Sequence, residues 1–142
     1  SLLAKFEKLN YLAAFDKTYT ISFIRITMIK DRNREIVLLY LKRYEQKDLQ
    51  GIAKMFSSDI ILRDWKMRVE GKDKTLLETK KNFDAVDAIK IEVIALYENE
   101  NTVAAELKVI INNKEELYVV DVITVNSESK INSIKAFIGR GN

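Results

Sequence analysis

The last third of the chain constrains the fold most. Four apolar stretches, 89–97, 102–111, 116–125 and 131–138, are separated only by Glu98-Asn99-Glu100-Asn101, Asn112-Asn113-Lys114 and Ser127-Glu128-Ser129. The stretches are rich in Val, Ile and Tyr, which favour extended backbone, and the short runs between them carry turn residues. Connections this short join strands as antiparallel hairpins. A four-strand meander is therefore expected. Its third strand, Leu117-Tyr118-Val119-Val120-Asp121-Val122-Ile123-Thr124-Val125, is apolar on both faces, whereas a strand with one wet face alternates. One face should meet helices. The other should meet a second subunit, so a homodimer through the outer sheet face is expected.

The residues ahead of the meander have helical spacing. Ile36, Leu39, Tyr40 and Arg43/Tyr44 predict a helix over 33–46, with Asp31 or Asn33 as its cap. Lys47-Asp48 breaks it, and Asp48 can cap a short second helix through Phe56. Ile60-Ile61-Leu62-Arg63-Asp64 reads as a strand and Lys66 to Glu70 as another, ending at Gly71. Leu76, Leu77, the stem of Lys80 and Phe83 predict a third helix over 73–85. The class is α+β, with helices on one face of a strongly curved, mostly antiparallel sheet.

Residues 1–27 differ from the rest. Leu2, Leu3, Phe6, Leu9, Leu12, Ala13 and Phe15 suggest an amphipathic helix, and Thr18 to Thr27 reads as strand because Tyr19, Ile21 and Phe23 alternate with Thr and Ser. Met28 precedes a natural helix start. The expectation is an N-terminal extension over 1–27, not necessarily native, and one domain over 28–142. Lys5, Lys8, Lys17 and Arg25 against Glu7 and Asp16 place +2 of the net +3 charge in the extension. Elsewhere the charges are interspersed, with no basic stripe carrying aromatics, so no nucleic acid is expected as a partner. No apolar run approaches the ~18–20 residues of a membrane span, so no membrane is expected either. Lys5, Glu7, Lys8 and Asp16 interrupt any secretory apolar run, and the cytoplasm is the expected location.

Composition narrows the chemistry. The chain has no His and no Cys. Ser-His-Asp and Cys-His catalysis are therefore excluded, as is a Cys-based zinc site. Acid–base work falls to Asp, Glu, Lys or Tyr with pKa values moved by their surroundings. Asp121 stands out, because it sits within the most apolar strand on the face of Leu117, Val119, Ile123 and Val125. Burial there would raise its pKa, although a structural Asp bonded to a polar neighbour fits as well. Asp64 ends the apolar run Ile60-Ile61-Leu62 beside the only Trp, Trp65, where a catalytic carboxylate or a turn residue would both fit. Tyr40 lies on the apolar face of the first predicted helix, where aromatic residues are usually core.

An ordered series of short motifs carries a resemblance. Tyr40-Leu41-Lys42-Arg43-Tyr44-Glu45-Gln46-Lys47-Asp48-Leu49-Gln50-Gly51-Ile52, then Met55-Phe56-Ser57-Ser58-Asp59-Ile60, resembles the opening of nuclear transport factor 2-like proteins. Val69-Glu70-Gly71-Lys72-Asp73 resembles their entry to the third helix. Val103-Ala104-Ala105-Glu106-Leu107, Val119-Val120-Asp121-Val122 and Ile134-Lys135-Ala136-Phe137-Ile138-Gly139 resemble their closing strands. The match covers about residues 34–139 and implies a cone of three helices wrapped by a curved sheet around a pocket. The SnoaL-like and ketosteroid isomerase-like branch is the informative comparison. Counted from the flanking motifs, Tyr40 falls on its oxyanion-hole tyrosine, Asp64 on its general base and Asp121 on its second oxyanion donor, an acid kept protonated.

That resemblance implies a cofactor-free isomerase or cyclase moving a proton on a hydrophobic carbonyl compound. Asp64 would take the proton, and Tyr40 with neutral Asp121 would hold the developing enolate oxygen, an arrangement for which ketosteroid isomerase is itself the known example. Phe56, Phe83, Val119, Ile123, Ile134 and Ile138 would line the cavity, with Trp65 narrowing its mouth. No cofactor and no metal are expected. Trp65 stands where the isomerases have Pro, and Glu78 and Thr79 replace aromatics of the third helix. Arg63, Lys66 and Arg68 crowd the strand ends near Asp64. A binding module for a small apolar ligand, or a dimeric scaffold, is the alternative, since one fold hosts many functions.

Overall fold

The helix expected from residue 33 begins much earlier. A computed structural model describes residues 17–141. Its first helix, α1, runs Lys17–Glu45 with no break at Asp31 or Asn33. Thr18 to Thr27 is therefore helix and not strand. The alternation misleads because Tyr19 and Phe23 are also four apart, which is the spacing of one helix face. A helix already formed downstream extends residue by residue without a new nucleus. Asn33 caps nothing and is buried within α1. The short helix expected before residue 16 lies outside the described residues.

The chain divides into two compact units, Ser1–Arg32 and Asn33–Asn142. In the first, Ile21, Ile24, Arg25, Met28 and Arg32 line one groove, and Tyr19, Ile21, Phe23 and Met28 are exposed. The second unit carries the sheet. Its share of α1 buries Val37, Tyr40 and Leu41, with Ile36 and Tyr44 packed alongside, a stripe at helical spacing. Lys47 turns the chain with φ 54°, and Asp48 caps α2 (Leu49–Ala53) by accepting from the Gly51 N–H at 2.9 Å. Arg43 Nη1 donates to the Gly51 carbonyl at 2.8 Å, so the loop between the helices is fixed from both sides.

Strand β1 (Phe56–Arg63) starts four residues sooner than its apolar run suggests, and β2 (Arg68–Glu70) returns along it. Gly71 follows at φ 95° and ψ 152°, a conformation open in practice to glycine alone. It precedes α3 (Lys72–Asp84). Then come β3 (Ile89–Asn99), β4 (Thr102–Ile111), β5 (Glu115–Val125) and β6 (Ile131–Gly139). These pair as the expected antiparallel meander. Asn112 and Asn113 both take positive φ at the β4–β5 turn, as a tight hairpin demands.

The sheet order is β2-β1-β6-β5-β4-β3, and β1 joins β6 in parallel. Register shifts in the β1–β6, β3–β4 and β5–β6 pairs accompany the curvature of the sheet. The helices supply Val37, Ile52 and Phe83 to the concave face, where they meet Ile60, Val103, Ile123 and Ile131 in one core. Each such side chain contributes ~1.5–3 kcal/mol by leaving water. Glu45 clasps the end of α1 to the sheet edge by accepting from the Ile91 N–H at 2.7 Å. The opposite, outer face carries Glu106, bonded by the Tyr97 hydroxyl at 3.1 Å, and the Lys108–Glu116 ion pair at 3.0 Å. Arg63 lies over the Phe137 ring there, 5.4 Å from its centre.

Candidate functional site

The concave face is filled at one end and empty at the other. Ile52, Ile60, Val103, Ile123 and Ile131 are each no more than 1% exposed. Toward the β4–β5 turn the facing side chains no longer meet, and a cavity of about 340 Å³ remains. Its sheet wall is mostly aliphatic, built from Ile89, Ile91, Val109, Ile111 and Leu117, with Glu115 at the β4–β5 end. Helix α1 contributes Tyr40 and Tyr44, α3 contributes Thr79 and Asn82, and the β1–β2 turn contributes Asp64, Trp65 and Lys66.

Asp121 faces this cavity from β5, with Val119, Ile134 and Ala136 around it. It is partly buried, and the surface it retains is cavity wall. No donor is bonded to its carboxyl among the described residues. Burial alone pushes its pKa from the ordinary 3.8 up to about 7. An uncompensated carboxyl among aliphatic groups stays neutral until near neutral pH, so it donates a hydrogen bond that an ordinary Asp would not. Tyr40 lies in the same wall, and burial, then the charge on Asp121, then Tyr44 push its phenol well above its ordinary value. It too remains a donor. Tyr40 and, below about pH 7, Asp121 therefore form a pair of O–H donors on the wall of one cavity.

Asp64 differs in kind. It lines the cavity at the mouth, but its Oδ1 accepts from the Lys66 N–H at 2.7 Å and the Met67 N–H at 2.9 Å. It closes the β1–β2 turn, as Asp commonly does, and this fixes the carboxylate on the cavity rim. Trp65 is half exposed on that rim and does not plug the cavity. Of the neighbouring cations, Lys66 lines the mouth, Arg63 turns to the outer face and Arg68 pairs with Glu70.

Of the residues expected to line the cavity, Val119 and Ile134 are in its wall, and Phe56, Phe83, Ile123 and Ile138 are not. Phe56 and Phe83 are buried behind the tyrosines, with ring centres 6.0 Å from Tyr40 and 4.9 Å from Tyr44. They brace the wall from its far side. Ile123 belongs to the filled end, and Ile138 is exposed beyond the rim. Strand parity assigns a face but not a depth, and these two residues differ from their neighbours in depth. Sequence reasoning passed over Tyr44 and Asn82. Asn82 Nδ2 donates to the Tyr44 hydroxyl at 3.3 Å, and both line the cavity. The signal was present, since Tyr44 follows Tyr40 by one helical turn and shares its face.

Neither a family model nor a curated protein matches this chain. Solved structures do. An epoxide hydrolase/cyclase-like enzyme, SalBIII, with a role in pyran ring formation in the polyether salinomycin, is 25% identical, with a TM-score of 0.69 over 78% of this chain and 92% of its own. A putative ketosteroid isomerase from Kribbella flavida is 13% identical, with a TM-score of 0.69 over 79% of this chain and 81% of its own. An NTF2-like protein of unknown function from Cytophaga hutchinsonii is 14% identical, with a TM-score of 0.64 over 75% and 89%. The fold is that of the nuclear transport factor 2-like superfamily.

Proposed function

We propose that the cavity is the active site of a cofactor-free acid–base enzyme acting on a hydrophobic carbonyl compound, in the manner of an isomerase or cyclase. The observation that carries this reading is Asp121, a carboxyl held in an aliphatic cavity with its pKa raised to about 7 and Tyr40 beside it. Tyr40 and neutral Asp121 donate to the substrate oxygen as charge develops there, which is where fixed donors lower a barrier most. Asp64, held by its backbone bonds, takes a proton from carbon with its remaining oxygen and returns it elsewhere on the substrate. The likeness to isomerases and to a cyclase-like enzyme supports the same chemistry. Titration with a fluorescent naphthol, a mimic of the enolate, tests it. Saturable binding weakened in both Tyr40→Phe and Asp121→Asn is the expected result. Binding indifferent to both changes overturns it.

The bonds that occupy Asp64 favour a second reading, in which the cavity only binds a small apolar ligand. Asp64→Asn separates the two. The Asn side-chain oxygen keeps the turn, so a binding module retains its ligand, whereas the enzyme loses turnover.

A homodimer through the outer sheet face also remains our proposal. That face presents the half-exposed Phe137 beside Val120, Val122 and Ala104. Sedimentation at micromolar concentration should give a dimer that Phe137→Glu dissociates, and a monomeric parent would refute it.

A further inference from the structure

We propose that the Tyr44 hydroxyl, oriented by Asn82, is a hydrogen-bond donor for a second oxygen on the ligand, so that the cavity takes an apolar compound bearing two oxygen functions. This deepens the reading above, in which Tyr40 and Asp121 hold the first oxygen. Tyr44 lies four residues beyond Tyr40 on α1, about 6 Å further along the helix axis at 1.5 Å per residue. Both phenols line the cavity. The Tyr44 ring is held edge-on by Phe83 at 4.9 Å and by Tyr40 at 6.0 Å, so it has little freedom to swing its hydroxyl away.

The direction of the Asn82 bond decides what the hydroxyl can do. Asn82 Nδ2 can only donate, so the Tyr44 oxygen accepts and keeps its own proton to give. Among the described residues no acceptor takes that proton. A mostly buried phenol with its O–H unanswered, at the edge of an aliphatic cavity, is satisfied by a ligand oxygen or by water.

Electrostatics agrees with a donor. Burial raises the Tyr44 pKa most, the Asn82 bond lowers it, and the charges on Asp121 and Asp64 raise it further. The hydroxyl is thus a donor, and it shares the cavity lining with both acids. The sheet wall facing it carries Ile91, Val109 and Leu117, and the cavity's remaining polar side chains, Thr79, Lys66 and Glu115, are not bonded to its hydroxyl. A ligand with one oxygen would satisfy Tyr40 and Asp121 and leave Tyr44 idle. One with a second oxygen on the far side of an apolar skeleton would engage all three.

The test compares two fluorescent probes on the full chain. One is a naphthol with a single hydroxyl and the other a naphthalenediol with hydroxyls on opposite rings. Tyr44→Phe should weaken the diol by about tenfold, the loss expected when a ligand hydroxyl is left unpaired in an apolar site, and leave the naphthol unchanged. Asn82→Ala, an exposed change, should weaken the diol in the same direction but less. A Tyr44→Phe effect equal on both probes, or absent from both, overturns the inference, and so does failure of the parent to bind either probe. Tyr40→Phe and Asp121→Asn report separately on the proposed active site. If these two weaken the naphthol while Tyr44→Phe spares the diol, the active-site reading stands and this inference falls. If Tyr44→Phe is selective for the diol while the other two are silent, the reverse holds.

Discussion

The two ends of the concave sheet face are built from the same strands with the same alternation, yet one is solid and the other hollow. At the filled end, Val103 and Ile123 on neighbouring strands meet Ile52 and Ile60 and lose all contact with water. At the open end, Val109 and Leu117, paired in the same way, face a cavity. The difference comes from the other side of the cone. Thr79 and two tyrosines braced from behind by Phe56 and Phe83 stand where aliphatic side chains would have closed the gap. Asp121 sits at the boundary, two residues from Ile123 and two from Val119. A carboxyl that would be intolerable one pair deeper here keeps its proton up to about pH 7 and is addressable from the cavity.

Packing should separate the two ends most strongly. Ile60→Ala or Ile123→Ala, each emptying a fully buried site, should cost ~2–5 kcal/mol in denaturant unfolding. Leu117→Ala on the cavity wall removes fewer contacts and should cost clearly less than either. Equal losses would erase the distinction between the ends.

The pH dependence sharpens the contrast next. Asp121 titrates near 3.8 when unfolded and about 7 when folded. Between those values the folded state holds a proton that the unfolded state has released. Its contribution to stability is therefore fully present below pH 3.8 and lost as pH rises through about 7. Relative to Asp121→Asn, the parent should lose up to ~1.4 kcal/mol per pH unit across that window. Parallel stability curves would contradict an uncompensated acid.

Glu45 should show the opposite sign. The Ile91 N–H and then the Lys42 ammonium lower its pKa, so its contribution exists above its ordinary 4.5 and disappears as pH falls. Glu45→Gln should cost ~1 kcal/mol at neutral pH and nothing in acid, read by the same unfolding curves. The smallest effect belongs to Lys80→Ala, which breaks an exposed pair with Asp84 at 2.5 Å and should change stability by less than ~0.5 kcal/mol.

Much of the architecture was legible because local signals agreed with it. The polar runs at 98–101 and 112–114 are turns, Asp48 is a cap, and the meander follows from connection length alone. The start of α1 was not legible, because the run from Thr18 to Thr27 holds too few apolar residues, Tyr19, Ile21 and Phe23 among them, to decide between the two periods. The side chains facing the cavity followed from strand parity at Val119, Asp121 and Ile134. At Ile123 and Ile138 parity gives the face, but depth along the cone keeps them out of the cavity, and depth depends on what the helices place opposite. For Asp64 the turn role and the catalytic role were both readable, and the turn bonds themselves were left open for a similar reason. They depend on how the backbone closes between β1 and β2, which residue types alone leave open. Tyr44 was readable as a second phenol on the face of Tyr40, but only its bond to Asn82, distant in sequence, gives its proton a direction.

The most direct test of the central claim is the ionisation of Asp121 in the folded protein. Carboxyl-carbon NMR of the labelled chain, with Asp121 assigned by its absence in Asp121→Asn, follows that one group through pH. A midpoint at about 7, unaccompanied by unfolding, is the expected result. A midpoint near the ordinary 3.8 would mean that the carboxyl is ionised and solvated at neutral pH, and would remove the neutral donor on which the proposed chemistry depends.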